Sequence, residues 1–201
     1  MTTLAFALAA TIKHDGQGGV ADLLGTPAEA VAWLDEHDHL VTEVLGRPLQ
    51  AETGPRDEDA VVRDELVRVR RAVRALFARA VAPKPPSKAD ADRLMDAGAA
   101  LRMVNRAAGR LGTVRLDWPD DGSPVTRWAG RTDDPVALLV GAVGRSTIDF
   151  LSGPDRARLR ACPAARCVKY FLQDDPRQQW CSPSCGNRER VNRHYRRRHG
   201  R

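Results

Sequence analysis

Apolar side chains recur every three to four positions through much of residues 1–153, which is the spacing of one face of an α-helix. The longest such face belongs to one predicted helix and consists of Val62, Leu66, Val69, Val73, Leu76, Phe77 and Ala80. The positions around that face carry charged side chains: Arg63, Arg70, Arg71, Arg74 and Arg79, with Asp64 and Glu65. We expect these arginines to form a solvated face, with a second nucleic-acid surface as the alternative. The helix should end at Pro83, Pro85 and Pro86.

A second helix is predicted from its start signal. Residues 26–29 form a capping box with a proline at the first helical position, and the helix is expected to run to about Asp38. His37 and His39 would then lie at its C-terminal end, where a histidine interacts favourably with the helix dipole. This placement explains them better than a metal or acid–base role.

Two more helices follow from similar signals. Ser87 and Asp90 have the spacing of a capping box, which predicts a helix with three side chains in the core: Leu94, Leu101 and Val104. Asp134 and Pro135 begin another helix, which Gly153 and Pro154 end. Its expected inward face is Val136, Leu139, Val140, Val143, Thr147, Phe150 and Leu151.

The glycines of this last helix, Gly141 and Gly144, lack the preceding strand that a nucleotide-binding loop requires. They therefore predict a close contact between two helices. No internal repeat is present.

The apolar period changes after Gly112. Val114, Leu116 and Trp118 alternate with polar residues, residues 119–124 form a turn, and Val125, Arg127 and Trp128 follow. This pattern predicts a β-hairpin, which must pack on helices because two strands alone are marginally stable. Residues 4–13 predict a buried helix or the start of a strand, followed by a glycine-rich loop at 16–19, and residues 50–56 predict a polar loop.

All four cysteines of the chain fall close together: Cys162, Cys167, Cys181 and Cys185. Two close pairs separated by 13 residues have the spacing of a tetrahedral zinc site. Four thiolates leave no open position on the metal, so the zinc is expected to be structural. Disulfides are the weaker alternative, since nothing else marks the chain as secreted.

A mixed site is the other alternative, because Cys181, Cys185, His194 and His199 loosely resemble a two-cysteine, two-histidine finger. Only eight residues separate Cys185 from His194, fewer than the usual twelve or so. That site would also leave Cys162 and Cys167 without a role.

Within the finger, residues 169–172 predict a short strand that places Phe171 or Tyr170 beneath the metal. Trp180 should cover the other side, and Gly186 frees the turn after the last cysteine. Asn187 is the expected N-cap of a final helix over residues 188–198, with Val191 and Tyr195 facing the zinc. Asn187 and Arg188 are equally suited to structural roles and to contacts with a partner.

The charge of the chain is unevenly distributed. Residues 155–201 hold 13 Lys and Arg against 4 Asp and Glu, whereas residues 1–154 hold 19 against 22. A basic segment behind a slightly acidic one favours contact with a polyanion. The side chains expected to contact nucleic acid are Lys169, Arg188, Arg190, Arg193, Arg196, Arg197 and Arg198.

These residues resemble a known family. The run from Cys185 to Arg188 spells CGNR, and Trp180, Cys181 and Ser182 precede it as in the CGNR zinc finger family. Upstream, Cys162, Cys167 and Phe171 are similar to that family as well. Farther back, residues 22–24, 26–27 and 33–34 resemble the ABATE domain that accompanies this finger.

The resemblance implies a transcriptional regulator with no assigned biochemical activity. This chain differs from the family in having three residues, where many members have four, between the second pair of cysteines. Its residues 4–11 also lack the Asp and Asn of a family pattern similar to L-D-F-x-N-T.

The sequence thus predicts a mainly α protein. A helical N-terminal domain with one β-hairpin, residues 1–153, precedes a small C-terminal four-cysteine zinc finger with a terminal helix, residues 154–201. We expect the first domain to fold without the finger.

The expected function is a DNA-binding transcriptional regulator whose N-terminal domain senses a ligand or mediates oligomerisation. The alternative is a protein-interaction module without direct DNA binding, with a protein partner or a homodimer. No set of nucleophile and base and no open metal position is apparent, so no enzymatic activity is expected. No apolar run approaches the roughly 20 residues of a membrane span, and residues 4–12 lack the preceding Lys or Arg of a signal peptide, so we expect a soluble, cytoplasmic protein.

Overall fold

Most of the chain is helical in a computed structural model, which describes residues 2–15, 19–49, 59–90, 94–117, 123–130 and 132–199. The helices are α1 (Leu4–Ala9), α2 (Pro27–Leu45), α3 (Asp59–Val81), α4 (Ala97–Gly109), α5 (Pro135–Ser152) and α6 (Pro183–His199). The strands are β1 (Ile12–His14), β2 (Val20–Asp22), β3 (Thr113–Asp117), β4 (Val125–Ala129), β5 (Leu159–Ala161) and β6 (Tyr170–Leu172). The predicted mainly α fold is confirmed.

The strands form three separate antiparallel pairs, β1–β2, β3–β4 and β5–β6. The predicted hairpin is β3–β4, in which Val114 pairs with Trp128 and Leu116 with Thr126. It packs on a helix as expected, because the indole Nε1 of Trp128 donates a hydrogen bond to the carbonyl of Val44 in α2 at 2.8 Å. Trp118, the predicted loop at 50–56, and most of the predicted glycine-rich loop at 16–19 and of the predicted turn at 119–124 lie outside the described residues.

Helix α5 runs through the middle of the molecule. Its side chains share one core with those of α1, α2 and α3, and Phe77 and Phe150 meet there with ring centroids 5.1 Å apart. Among the described helices, only α5 has the length and apolar composition to cross a membrane, and 61% of that stretch is buried inside the protein. Those apolar residues therefore form the interior of this fold.

The close approach predicted for Gly141 and Gly144 is made between α5 and α4. A Cβ atom at Gly144 would lie 2.5 Å from the backbone nitrogen of Ala108, and one at Gly141 would lie 2.6 Å from a side-chain carbon of Leu111. Atoms at such distances overlap, so larger side chains at these positions would push the two helices apart.

We expect Gly144→Ala to lower the free energy of unfolding by about 1–3 kcal/mol, because the added methyl group meets rigid backbone. Gly109 in α4 is the matched control, since a Cβ atom there meets nothing within 4 Å. Gly109→Ala should be neutral or stabilising by up to about 1 kcal/mol. Urea denaturation of both variants measures the difference, and equal stability of the two would contradict the proposed close contact.

Two arginines predicted to be solvated are buried instead. Arg70 and Arg74 are each only 4% exposed. Arg70 forms two hydrogen bonds to the carboxylate of Asp22, at 2.5 and 2.6 Å, and a third to the hydroxyl of Thr11 at 2.8 Å. Burial acts to raise the pKa of Asp22, but the hydrogen bond and charge of Arg70 hold it below its ordinary value.

The helix predicted to end near Asp38 continues to Leu45, where Gly46 takes a left-handed φ of 71°. Apolar positions persist at Leu40 and Val41, and no helix-breaking residue intervenes. The C-terminal placement of His37 and His39 is therefore wrong. The Nδ1 atom of His37 lies 2.8 Å from the carbonyl of Trp33 in mid-helix.

The helix predicted to have its N-cap at Ser87 has it at Asp96, nine residues later. Asp96 caps α4 by accepting a hydrogen bond from the backbone nitrogen of Ala99 at 2.8 Å. Leu94 and Leu101 are exposed, contrary to expectation, and Val104 is buried as predicted. Ser87 is buried and serves a different contact, described below.

Candidate metal centre

The sulfur atoms of the four cysteines converge on one point. All four lie within 4.8 Å of one another, and the Cys167–Cys181 and Cys181–Cys185 sulfur pairs are 3.6 Å apart. A tetrahedral zinc with Zn–S bonds of about 2.3 Å places its sulfurs about 3.8 Å apart. The cluster therefore fits a four-thiolate zinc ion.

The end of the β5–β6 pair and one short turn bring the first pair of sulfurs together. The backbone nitrogen of Cys162 donates to the carbonyl of Lys169 at 2.9 Å, and that of Cys167 donates to the carbonyl of Ala164 at 3.0 Å. Arg166 takes a φ of 64°, a conformation that non-glycine residues rarely adopt. This strained residue turns the chain so that Cys167 faces Cys162.

The second pair lies at the start of α6. Cys181 precedes the helix and Cys185 lies in its first turn, where its backbone nitrogen is 3.3 Å from the hydroxyl of Ser182. The final helix therefore begins at Pro183, and the prediction that Asn187 caps it is wrong. Asn187 lies inside the helix, and its side-chain oxygen accepts a hydrogen bond from Arg190 at 2.6 Å.

The four thiols lie close enough to influence one another's ionisation. Hydrogen bonds from the thiols of Cys167 and Cys181 lower the pKa of Cys162, whereas the neighbouring Cys162 raises the pKa of Cys181. A thiolate at Cys162 therefore opposes ionisation of its neighbours. A divalent ion removes that opposition, because it binds all four groups as thiolates.

Aromatic side chains enclose the cluster. Phe171 is buried against the cysteines, and Trp180 packs on them partly buried. A Cβ atom at Gly186 would lie 3.3 Å from a ring carbon of Trp180, so the indole ring lies directly over this glycine. Tyr170 points the other way, into the core of the helical domain.

Val191 and Tyr195, predicted to face the zinc, do not. They are 68% and 63% exposed. Each helical residue advances about 1.5 Å, so Val191 lies about 9 Å beyond Cys185 along the axis of α6. At Val191 the helix therefore no longer contacts the metal cluster.

His194 is also exposed on this part of α6, and the side chain of His199 lies outside the described residues. Among the residues that the structure describes, the cluster of potential metal ligands consists of the four cysteines alone.

The predicted nucleic-acid contacts fall into two groups. Arg188 is half-buried, and its guanidinium lies 3.4 Å from the carbonyl of Ala165 in the first cysteine turn. The others are exposed: Lys169, Arg190, Arg193, Arg196, Arg197 and Arg198. Arg188 thus has a structural contact, and the remaining six are accessible to a partner.

The sequence analysis missed Glu189, which also ties α6 to the first turn. Its carboxylate accepts a hydrogen bond from the backbone nitrogen of Ala165 at 2.5 Å, and this bond lowers its pKa. Glu189 is the only acidic residue of α6, but its position within the run of basic residues predicts only a helix-surface ion pair.

The helical domain contacts the residues next to the metal cluster through a buried network of hydrogen bonds. No sequence pattern predicted this network. Arg74 pairs with Asp90 at 2.7 Å, and the hydroxyl of Tyr170 donates to Asp90 at 2.8 Å. The hydroxyl of Ser87 donates to the carbonyl of Val168, next to Cys167, at 2.7 Å. We call these residues, with Val168, the Arg74–Asp90 network. Burial and the Asp90 carboxylate raise the pKa of Tyr170, so its phenol keeps its proton as a donor.

Lys88 adds a second link between the helical domain and the finger. Its ammonium group donates to the carbonyl of Pro163 at 2.9 Å and to that of Ala164. Both carbonyls belong to the turn between Cys162 and Cys167. The finger is therefore joined to the helical domain on the side of its first cysteine pair.

Two family models match successive parts of the chain. Residues 2–154 match the family model of the ABATE domain, described as "Putative stress-induced transcription regulator", and residues 158–198 match that of the CGNR zinc finger. No curated protein matches the chain significantly. The chain belongs to the ABATE family and carries a CGNR zinc finger whose four cysteines are positioned to bind a metal ion.

Proposed function

We propose that this protein is a cytoplasmic transcriptional regulator that binds DNA through helix α6, with its helical domain sensing a ligand or mediating oligomerisation. The observation that carries the proposal is the exposed set of arginines on α6, beyond the metal cluster that anchors the helix. Family membership supports a role in regulation, and four cysteines without disulfides suit a reducing compartment.

The arrangement of the arginines suits a groove of duplex DNA. Arg190, Arg193 and Arg197 are spaced at i, i+3 and i+7, so they lie along one side of the helix. A 17-residue helix is about 25 Å long, and the major groove of B-DNA admits one helix. Arginine forms bidentate hydrogen bonds with phosphate and with guanine edges.

We expect the triple substitution of Arg196, Arg197 and Arg198 by alanine to weaken binding to all duplexes similarly. Phosphate contacts give affinity without sequence information, and each lost contact lowers the slope of log K against log salt by about 1. Arg190→Ala or Arg193→Ala, nearer the anchored end of α6, should instead cost roughly 1–3 kcal/mol at preferred sites and relax discrimination. Fluorescence anisotropy at two salt concentrations measures both effects.

The matched control is a triple alanine variant of exposed arginines on α3 and α4, namely Arg79, Arg102 and Arg106. It removes the same charge from the chain and should leave the salt slope unchanged. An equal loss in this control would show that net charge, and not α6, determines binding.

A protein-interaction module is the second candidate. The exposed Val191 and Tyr195 add apolar area to a cationic helix, a combination that suits an acidic protein surface. Absence of duplex binding at about 50 mM salt would favour this function over the first.

A further inference from the structure

A cleft of about 840 Å³ lies in the helical domain, and no arginine of α6 is among its described lining residues. Its walls come from the β1–β2 ribbon, from α3 and from the segment that follows α3. The described residues lining it are Ile12, Val20, Asp22, Arg70, Arg71, Arg74, Lys88, Ala89, Asp90 and Leu94. Its volume is in the range of small-molecule sites, about 300–1,000 Å³.

The charges of this cleft are only partly balanced. Arg70 and Arg74 are each paired with a carboxylate, Asp22 and Asp90 respectively. Arg71 pairs with no carboxylate of the described residues, and the hydrogen bonds of Lys88 go to neutral backbone carbonyls. The carboxylate of Glu189 in α6, outside the lining, also attracts Lys88. Among the described lining residues themselves, two positive charges are in excess, and these attract an anion.

The cleft also has an apolar wall. Val20 and Leu94 are 51% and 41% exposed, although both are large hydrophobic side chains, and Ile12 lies beside them in the lining. An inorganic ion would leave this surface in water. A ligand with an apolar part would cover it and gain about 25 cal/mol for each Å² removed from water.

We propose that the cleft binds a small organic anion, whose carboxylate or phosphate group is held by Arg71 and Lys88 and whose apolar part lies against Ile12, Val20 and Leu94. The planar guanidinium of Arg71 suits bidentate contact with either head group, and Lys88 supplies a second charge. This inference deepens the proposed regulatory function, and only its link to DNA binding rests on that function.

Lys88 provides that link. The same ammonium group lines the cleft and donates to the carbonyls of Pro163 and Ala164 in the first cysteine turn. An anion that draws Lys88 toward the cleft weakens these two bonds. Binding of an anion in the cleft thereby changes the contacts of the turn between Cys162 and Cys167.

Isothermal titration calorimetry of the zinc-loaded full chain tests the site without DNA. The chain carries alanine at positions 196–198, so that the run of three exposed arginines near the end of α6 does not bind the probes. Phenyl phosphate and phenylacetate represent the two head groups, inorganic phosphate lacks the apolar part, and benzyl alcohol lacks the charge. We expect at least one of the two organic anions to bind more tightly than both of the simpler probes.

Arg71→Gln should then weaken binding of that anion about fivefold or more, as expected for loss of a partly exposed charge-assisted contact. Arg79→Gln, an exposed arginine of the same helix outside the cleft, should change it less than about twofold. Lys88→Gln also removes contacts with the finger, so the zinc content of this variant is measured as well. Weaker binding of the anion by a variant that retains its full zinc content supports the site.

Four results would overturn the proposal: no saturable binding of either organic anion at about 10 mM, equal affinity in the Arg71→Gln variant, equally tight binding of benzyl alcohol, or equally tight binding of inorganic phosphate. None of these depends on nucleic acid. A failure of DNA binding therefore leaves the result of this experiment unchanged.

Discussion

Removal of the metal is expected to unfold the finger while helices α1–α5 remain folded. Structural zinc contributes on the order of 10 kcal/mol to small modules of this kind, more than the Phe171 and Trp180 contacts around the cysteines supply. One zinc per chain should be found by atomic emission in the freshly purified protein. After chelation, circular dichroism should retain most of the helical signal, and proteolysis should cut within residues 159–199.

Cys162→Ser should lose the metal, and His194→Ala, an exposed residue of α6, should retain it in full. His199→Ala should retain it as well. Full zinc occupancy of Cys162→Ser, or absence of zinc from the unmodified chain, would contradict the four-cysteine site.

Residues 1–153 expressed alone should also fold, but with a lower melting temperature than the helical domain has within the full chain. Leu159 and Tyr170 belong to the finger's strands and are buried in the core of the helical domain. Losing a buried leucine and a buried tyrosine removes several kcal/mol of packing, on the order of 2–5 kcal/mol for each large side chain. A disordered circular dichroism spectrum of this fragment would show that the two parts fold only together.

Replacement of Asp90 by alanine is expected to lower the free energy of unfolding by about 3–5 kcal/mol. The substitution leaves the guanidinium of Arg74 buried without its carboxylate, and an uncompensated buried charge is costly. It also removes the acceptor of the Tyr170 hydroxyl. Urea denaturation measures the loss.

Asp149→Ala is the matched control for this substitution. Asp149 pairs with Arg145 at 2.8 Å on the surface, where both side chains are at least 40% exposed, so its removal should cost no more than about 0.5 kcal/mol. Tyr170→Phe should fall between the two, because it removes two hydrogen bonds of the hydroxyl, the one donated to Asp90 and the one accepted from the backbone nitrogen of Ser87, together worth about 1–3 kcal/mol. A loss for Asp90→Ala as small as that of the control would mean that the Arg74–Asp90 network contributes little to stability.

Short sequence motifs predicted those parts of the fold that depend on contacts between residues close together in the sequence. The capping box at Thr26 and the Asp134–Pro135 start are both present in the structure, because each is complete within one helical turn. The cysteine pairs predicted the metal cluster for the same reason, since two short turns direct each pair toward the other.

Predictions failed where the partner of a side chain lies far away in the sequence. Ser87 and Asp90 have the spacing of a capping box, but their hydrogen bonds go to Val168, Tyr170 and Arg74. The charge of Arg74 predicts exposure, but a carboxylate 16 residues away balances that charge and allows its burial. Helical periodicity carries no information about such partners.

Spacing along the sequence also failed to predict the environment of the last helix of the finger. Val191 and Tyr195 have the four-residue spacing of a buried pair. Their burial also requires that this part of α6 pack against the metal cluster, and the spacing alone does not show whether it does. Because α6 starts at Pro183, the four residues before Asn187 already belong to it, and the second half of the helix projects beyond the metal. The arginines of α6 were predicted to be accessible, and most of them are.

The burial of Leu159 and Tyr170 in the helical domain has a consequence for evolution by domain shuffling. A gene segment encoding this finger alone would produce a module with an exposed leucine and with a tyrosine hydroxyl that lacks its acceptor. Its recipient would need to supply equivalents of Arg74, Ser87 and Asp90 at the same place. Recombination should therefore transfer the finger together with the end of α3 and the segment after it, and substitutions at Asp90 should be accompanied by changes at Tyr170 in related chains.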